Sequence, residues 1–207
     1  FTNIISKEGS NTWRVYCNDT SGNLNSSSVT FVKDTIYPNI NIIYPANNTN
    51  STNINLDVNY TASDTNLKTC WYSNDTANTT IACGTNITTI TWNEGMHNVT
   101  VYVNDSANNV NSSSVTFRID ATAPIWNNLR NFTSQVNISF SQSITANDSG
   151  VGIGSYWLNQ TSYFTINRTA GLITNSTNLS RIEIHYLNIS ANDTLGNINS
   201  KIFYINI

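Results

Sequence analysis

Few residues of this chain could do chemistry, and the three cysteines are the first to consider. Cys70 and Cys83 lie 13 residues apart and flank a polar segment, 72–80. Zinc would need further Cys or His ligands, which the segment lacks, so the spacing predicts a disulfide between neighbouring strands of a hairpin. Closing a loop of about 14 residues stabilises a fold by roughly 3 kcal/mol. Such a disulfide implies an oxidising, extracellular setting.

The third cysteine and the two histidines do not form a catalytic arrangement. Cys17 has two interpretations, a buried free thiol or half of an inter-sheet disulfide whose partner strand lies outside this sequence. His97 and His185 occupy the same position in two repeats, 88 residues apart, and are expected at strand edges. No nucleophile is recognisably paired with a histidine base, and G-x-S-x-G and HExxH motifs are absent. The sequence therefore predicts that the protein is not an enzyme.

Calcium is the one cofactor for which the aspartates are candidate ligands. The candidate ligands lie in predicted linkers (Asp34, Asp120) and in predicted turns (Asp19, Asp105, Asp148, Asp193). Ca²⁺ takes six to eight oxygen ligands, whereas each junction offers two or three acids. Two interpretations stay open: calcium bound by Asp34, Asp105, Asp120 and Asp193, or aspartates that only cap their own turns.

Asparagine is the commonest residue, at 37 of 207, and 20 of these begin an Asn-x-Ser/Thr sequon. Chance would give roughly nine sequons at this composition. The excess favours N-glycans that keep an uncharged surface soluble, although Asn/Thr-rich turn chemistry is the alternative. The expected sites are outward strand and turn positions: Asn59, Asn98, Asn104, Asn137 and Asn192.

The composition indicates a β-rich folded protein. Charged residues make up 10% of the chain, yet 22 aromatic residues are spread along it, and disordered chains are normally depleted in these. The net charge of −3 with nine Lys and Arg argues against nucleic-acid binding. No apolar run of 18 residues is present that could span a membrane.

The organisation follows from an internal repeat. Residues 15–34 return at 101–120 with 13 of 20 positions identical, and a weaker copy occupies 189–200. An offset of 86–88 residues suits one small β-sandwich per repeat. Proline-bearing linkers at 33–38 and 119–124 then divide the chain into an incomplete module (1–34) and two sandwiches (35–120 and 121–207).

Alternation of apolar and polar residues predicts the strands of each module. Residues 54–60 and 136–144 both alternate, which places Ile54 and Ile138 inward. In the first module, 11–34 is expected to form a hairpin with Trp13, Val15, Cys17, Val29 and Phe31 on its core-facing side. Two strands alone cannot bury a core, so a longer parent chain or an adjacent subunit should cover this face; the longer parent is favoured.

Three segments carry a family resemblance: the tail 94–120, the Asp-x-Thr-Ala-Pro linker 120–124, and the cysteine-bearing stretch 67–84. The chain resembles the Ig-like and cadherin-like repeat domains of large archaeal and bacterial surface proteins. A departure is that the Asp-x-x-Gly-Asn turn has Asn108 in place of glycine in the second copy, a residue that tolerates the same backbone geometry.

The resemblance implies a fold and a role. The fold is all-β, a beads-on-a-string array of tandem antiparallel β-sandwiches. The role is a structural segment of a cell-surface filament, stalk or S-layer-associated fibre, partnered by copies of itself or by adjoining repeats. The alternatives are an adhesin that recognises a cell-surface ligand and an accessory domain of a surface hydrolase.

Overall fold

The computed structural model describes residues 4–75 and 77–207, so the expectations for the first module are tested only from Ile4 onwards. These residues form β-strands and no helix. The strands are, in chain order, β1 (Gly9–Asn18), β2 (Leu24–Lys33), β3 (Asn39–Tyr44), β4 (Thr49–Ser51), β5 (Asn59–Ser63), β6 (Leu67–Asn74), β7 (Ala77–Ile81), β8 (Gly95–Asp105), β9 (Val110–Ile119), β10 (Ile125–Trp126), β11 (Phe132–Thr133), β12 (Ser141–Ser143), β13 (Ala146–Asn147), β14 (Ile153–Leu158), β15 (Phe164–Ile166), β16 (Leu172–Asn175), β17 (Ile184–Asp193) and β18 (Ile198–Asn206).

The order of strands in the larger sheet is similar in the two predicted sandwiches, 35–120 and 121–207. The order β4-β9-β8-β6-β7 corresponds to β11-β18-β17-β14, and each sheet has one parallel pair, β4 with β9 and β11 with β18. Strands β3 and β5 form a second sheet in one segment, and β12-β16-β15 and β10-β13 form the smaller sheets in the other. The all-β sandwich class predicted from the sequence is confirmed.

The strand repeats bury the residues that their alternation predicts. Val99, Val101 and Val103 of β8 are fully buried, as are Phe117 and Ile119 of β9. Between 121 and 207, one apolar cluster contains inward-facing residues of several strands and of the loop before β12. Among its members are Phe132, Phe140, Leu187, Ile189, Phe203 and Ile205. Period-two alternation buries one face of a strand because successive side chains point to opposite faces of the sheet.

The first hairpin has its predicted core-facing side uncovered. Strands β1 and β2 pair only with each other among the described residues, so Trp13, Val15, Val29 and Cys17 are exposed. Trp13 packs edge-on against Phe31, at 5.1 Å between ring centroids, and this contact holds the apolar side of the hairpin together. Cys17 is exposed here because no described strand covers the hairpin, so both interpretations of Cys17, a buried free thiol or half of an inter-sheet disulfide, stay predictions that require a covering strand.

Two predicted strands are much shorter than their alternation suggests. Residues 54 and 55 form a turn before β5, and 136–140 lie outside any strand, with only Ser141–Ser143 in β12. Ile54 and Ile138 are therefore exposed, contrary to the prediction. Asn137 has a φ of 62°, a left-handed conformation that interrupts an extended strand.

Cys70 and Cys83 form a disulfide. Cys70 is buried in β6 opposite Ile81, the last residue of β7, and Cys83 follows two residues later. The disulfide therefore fastens the outer strand of the five-stranded sheet to its neighbour.

Contacts within the chain define two compact units, and every strand pair joins strands from the same one of the three predicted segments. The division at 35 and 121 stays a prediction. The first compact unit comprises residues 1–44, 58–87 and 98–115, and the second comprises residues 45–57, 88–97 and 116–207.

In the part of the chain that the structure describes, no helix is long and apolar enough to cross a membrane.

Candidate metal centres

Across the described ranges, 4–75 and 77–207, two clusters of three aspartates occur at equivalent places in the repeat. One contains Asp34, Asp64 and Asp105, and in each cluster one carboxylate oxygen per residue lies within 4.8 Å of the others. The second cluster contains Asp120, Asp148 and Asp193. In each cluster the first aspartate directly follows a strand, β2 or β9. The second aspartate lies in the loop before β6 or β14, and the third is the last residue of β8 or β17.

The aspartate that ends β8 or β17 is held by its own turn. Asp105 Oδ1 accepts hydrogen bonds from the backbone N–H groups of Ala107 and Asn109, at 2.8 and 2.9 Å, and Asn109 Nδ2 donates to Oδ2 at 2.7 Å. Asp193 and Asn197 repeat this arrangement, with 2.6 Å between Asn197 Nδ2 and Asp193 Oδ2. The turn thus orients both carboxylates by local bonds that the sequence motif predicts.

The same asparagines connect the turns to the linkers. Asn109 Nδ2 also donates to the backbone carbonyl of Asp34 at 3.2 Å, and Asn197 Nδ2 donates to that of Asp120 at 2.9 Å. A residue from the turn therefore fixes the backbone of the linker aspartate in both repeats. This contact brings together residues that are more than 70 positions apart in the sequence.

The glutamates before β1 and β8 bind the linkers from the other side. Glu8 accepts hydrogen bonds from the backbone N–H of Thr35 at 3.0 Å and from its hydroxyl at 2.6 Å, and Glu94 accepts one from the N–H of Ala121 at 3.0 Å. The bonds from Thr35 lower the pKa of Glu8 against its desolvation. Each linker is thus held in place immediately after its aspartate.

The second aspartate of each cluster comes from the loop before β6 or β14. Asp64 Oδ1 accepts a bond from the N–H of Asn66 at 2.7 Å, and Asp148 Oδ1 accepts bonds from those of Gly150 and Gly152. Sequence reasoning missed Asp64 altogether and named Asp148 only among the turn candidates. A sequence signal common to Asp64 and Asp148 is that each precedes a strand with a central tryptophan, Trp71 or Trp157.

The backbone approaches the second cluster closely at Gly150. A Cβ atom at this position would collide with the Asp120 carboxylate, whose Oδ2 accepts a bond from the N–H of Val151 at 2.8 Å. Glycine is therefore required here by space, which is the use of glycine where backbone must pass near a polar group.

The electrostatics of both clusters favour a cation. Asp105, Asp120 and Asp193 are fully buried, and in residues 4–75 and 77–207 none of the six carboxylates forms an ion pair with Lys, Arg or His. Lys33, which adjoins Asp34, instead pairs with Glu8 at 3.3 Å. Burial raises the pKa of Asp105, but hydrogen bonds from Asn109 and the turn backbone outweigh it, so the pKa lies below its usual value.

The donor set fits a hard divalent cation. All three side chains of each cluster offer carboxylate oxygen, the ligand that Ca²⁺ prefers, and two neighbouring carboxylates repel each other unless a positive charge lies between them. Nitrogen and sulfur ligands are absent from both groups, which argues against zinc.

The other residues considered from the sequence lie apart from these clusters. His97 is buried at the start of β8 against Trp92 and Phe117, and His185 is buried against Tyr163 and Phe164. Both strands are interior strands of their sheets, but the pairing of β8 with β6 begins at Val99 and that of β17 with β14 begins at Ile189, so the edge position of the histidines stays a prediction. The apolar ring faces fill the sandwich, and the Nε2 atom of His97 lies 2.8 Å from the carbonyl oxygen of Asn93.

The five sequon asparagines differ in exposure. Asn98 and Asn137 are exposed, whereas Asn59, Asn104 and Asn192 are half-buried. Their glycosylation stays a prediction. Asn104 and Asn192 each precede the buried aspartate of an aspartate cluster, Asp105 or Asp193.

Comparison with known proteins places the fold. No protein-family model and no curated protein sequence matches the chain. Among solved structures, the protocadherin gamma-B4 extracellular domain is similar with a TM-score of 0.51 at 15% identity, over 95% of this chain and 38% of that one. Drosophila N-cadherin EC1-4 gives 0.49 at 14% identity, over 97% and 58%. The similarity to the protocadherin structure shows a cadherin-like, Ig-like β-sandwich fold, and this chain spans 38% of the length of that protocadherin chain.

Proposed function

We propose that this chain is a segment of tandem β-sandwich repeats in an extracellular surface protein, and that calcium fixes its linkers. The observation that carries the proposal is the duplication of the three-aspartate cluster at the same place in two repeats. The disulfide between Cys70 and Cys83 supports an oxidising compartment. The role is structural and not enzymatic: the repeats extend or assemble a filament, a stalk or an S-layer-associated fibre.

The linker aspartates give the cation a mechanical effect. Asp34 follows β2 and Asp120 follows β9, so a Ca²⁺ ion held by either cluster would join the end of one repeat to the loops of the next. Without the ion, repulsion among three carboxylates opposes that arrangement. With it, the linker keeps one conformation, which a load-bearing array requires.

The alternative is an adhesin, and one observation favours it. Trp71 and Tyr102 stack in parallel at 5.2 Å between ring centroids on the outward face of β6 and β8, where both are half-buried. Aromatic side chains at a surface are typical of recognition sites. Under this alternative the repeats would carry a ligand-binding face in place of a purely mechanical role.

Thermal unfolding in the presence of calcium tests the proposal. The unglycosylated chain is unfolded in excess CaCl₂ and in excess chelator, and the Tm is expected to be higher with calcium. A ligand at 100 times its Kd adds about 2.7 kcal/mol to the free energy of unfolding. The combined variant Asp64→Asn and Asp148→Asn should lose most of this shift, because each substitution removes one carboxylate but keeps an oxygen for the backbone bond.

Asp57 supplies the matched control, since it is half-buried and belongs to neither cluster. Asp57→Asn should keep the full calcium-dependent rise in Tm. An equal Tm in calcium and chelator for the unmodified chain would reject calcium as the ligand, and so would a full shift in the double variant.

A further inference from the structure

An outward tryptophan lies beside a sequon asparagine at the same register position in both repeats. In the sheet that contains β6 and β8, Asn104 pairs with Thr69 and Tyr102 pairs with Trp71. Trp71 is therefore the diagonal neighbour of Asn104. Such neighbours are about 7–8 Å apart, which is within reach of an aromatic side chain.

The arrangement recurs between β14 and β17. Asn192 pairs with Ser155, and Ser190 pairs with Trp157, so Trp157 is diagonal to Asn192. In both sheets the register shifts one step earlier, between Leu67 and Thr69 and between Ile153 and Ser155. The same bulge thus sets the same relation of asparagine to tryptophan.

The second of these places forms an open groove of about 550 Å³. Trp157 and Asn192 both line it, together with Ser155, Thr165 and Arg168. This volume lies in the range of small-ligand sites, which combine aromatic surface with a few polar groups.

The side-chain amides of Asn104 and Asn192 direct their oxygen atoms inward and their nitrogen atoms toward the surface. Oδ1 of Asn104 is buried, and Oδ1 of Asn192 accepts a hydrogen bond from Ser155 Oγ at 2.9 Å. Within residues 4–75 and 77–207, neither Nδ2 atom has a hydrogen-bond partner. The nitrogen is the atom to which an N-glycan is attached.

We propose that Asn104 and Asn192 carry N-glycans whose first sugars pack against Trp71 and Trp157. Attachment takes place by transfer from a sugar activated as a phosphoester: Nδ2 bonds to C1 of the sugar and gives up a proton, the bond from C1 to the phosphate oxygen breaks, and the leaving phosphate keeps that electron pair and takes up the proton. The apolar C–H face of the sugar then covers the indole, removing apolar surface from water. This inference rests on the extracellular setting of the proposed function.

Asn98 lacks such a partner and provides an internal control. It lies on the same strand as Asn104, but its surroundings are polar: Ser73, Asp75 and Thr100. The backbone N–H of Asn98 donates to the Asp75 carboxylate at 2.8 Å. A glycan on Asn98 would therefore extend into solvent without an aromatic contact.

The test is the rate at which a peptide-N-glycosidase removes each glycan from the folded protein. The chain is secreted from a eukaryotic cell line, and glycopeptide mass spectrometry measures the occupancy of each site over time. Trp71→Ala and Trp157→Ala should speed release at Asn104 and Asn192 respectively, by about two- to twelvefold, the factor that an aromatic packing contact contributes. Release at Asn98 should not change.

The phenylalanine variants separate packing from misfolding. Trp71→Phe and Trp157→Phe keep an aromatic face, so release should stay close to the rate of the unmodified chain. Bare Asn104 and Asn192 in the secreted protein would overturn the proposal, as would release rates that do not respond to the alanine variants. Bare sites combined with quenching of tryptophan fluorescence by added oligosaccharide would assign the tryptophans to an external ligand instead. The calcium experiment uses unglycosylated protein, so the two proposals fail separately.

Discussion

Loss of the disulfide between Cys70 and Cys83 is expected to weaken the five-stranded sheet at its outer strand. Among the residues that the structure describes, strand β7 pairs with β6 alone and is largely exposed, so it has little buried surface to hold it in place. The variant is Cys70→Ala with Cys83→Ala, made in a Cys17→Ser background so that the exposed free thiol does not exchange with the pair.

The magnitude follows from the length of the closed loop. The sequence separation is 13, so the loop contains 14 residues counted inclusively. The loop-entropy relation then gives about 3 kcal/mol at 25 °C. Truncating Cys70, which is fully buried, removes further packing in the same direction.

Urea unfolding followed by circular dichroism measures the difference. The Cys17→Ser parent should lose about 3 kcal/mol when a reductant is added, whereas the alanine variant should already be less stable and should not respond to reductant. Cys17→Ser itself should match the unmodified chain, because Cys17 is exposed. A loss below about 0.5 kcal/mol, the size of an ordinary surface substitution, would refute the reasoning.

Two further predictions concern the aspartate turns. Hydrogen bonds from Asn23, its side chain first, lower the pKa of Asp19 from the usual 3.8, so Asn23→Ala should raise that pKa in an NMR titration, and an unchanged value would contradict this cause. The contribution of Asp19 to stability is present above the unfolded pKa and is lost as the pH falls through the lower folded pKa. Gly150→Ala should cost about 1–3 kcal/mol by thermal or urea unfolding, because its Cβ collides with the Asp120 carboxylate. Ser149→Ala, an exposed neighbour, should have no effect; equal stability of the two variants would contradict the collision.

Local patterns predicted well where a strand has one buried face. The alternation in β8 identified Val99, Val101 and Val103 as core residues because the sheet leaves them no other environment. The same rule was wrong at Ile54 and Ile138, where turns interrupt the strand. Periodicity does not report where a strand ends, since the left-handed conformation of Asn137 depends on its surroundings as well as on its residue type.

In the hairpin β1–β2, the sequence pattern predicts which residues share a face but not whether that face is buried. Its apolar positions were identified correctly by alignment with β8 and β9, but their burial depends on strands that must pack against them. Cys17 is therefore exposed in this chain although its counterpart, Val103, is fully buried.

By itself, the sequence determined the repeat, the sandwich class and the Asp-x-x-x-Asn turns, because these depend on residue type at short range. Asp105 with Asn109 and Asp193 with Asn197 form their bonds across four positions. Only the tertiary structure decided that Asp64 joins Asp34 and Asp105, and that Trp71 lies diagonal to Asn104. Those relations are set by strand register and by a bulge, and a shift of one residue in register would place each side chain on the opposite face of its sheet.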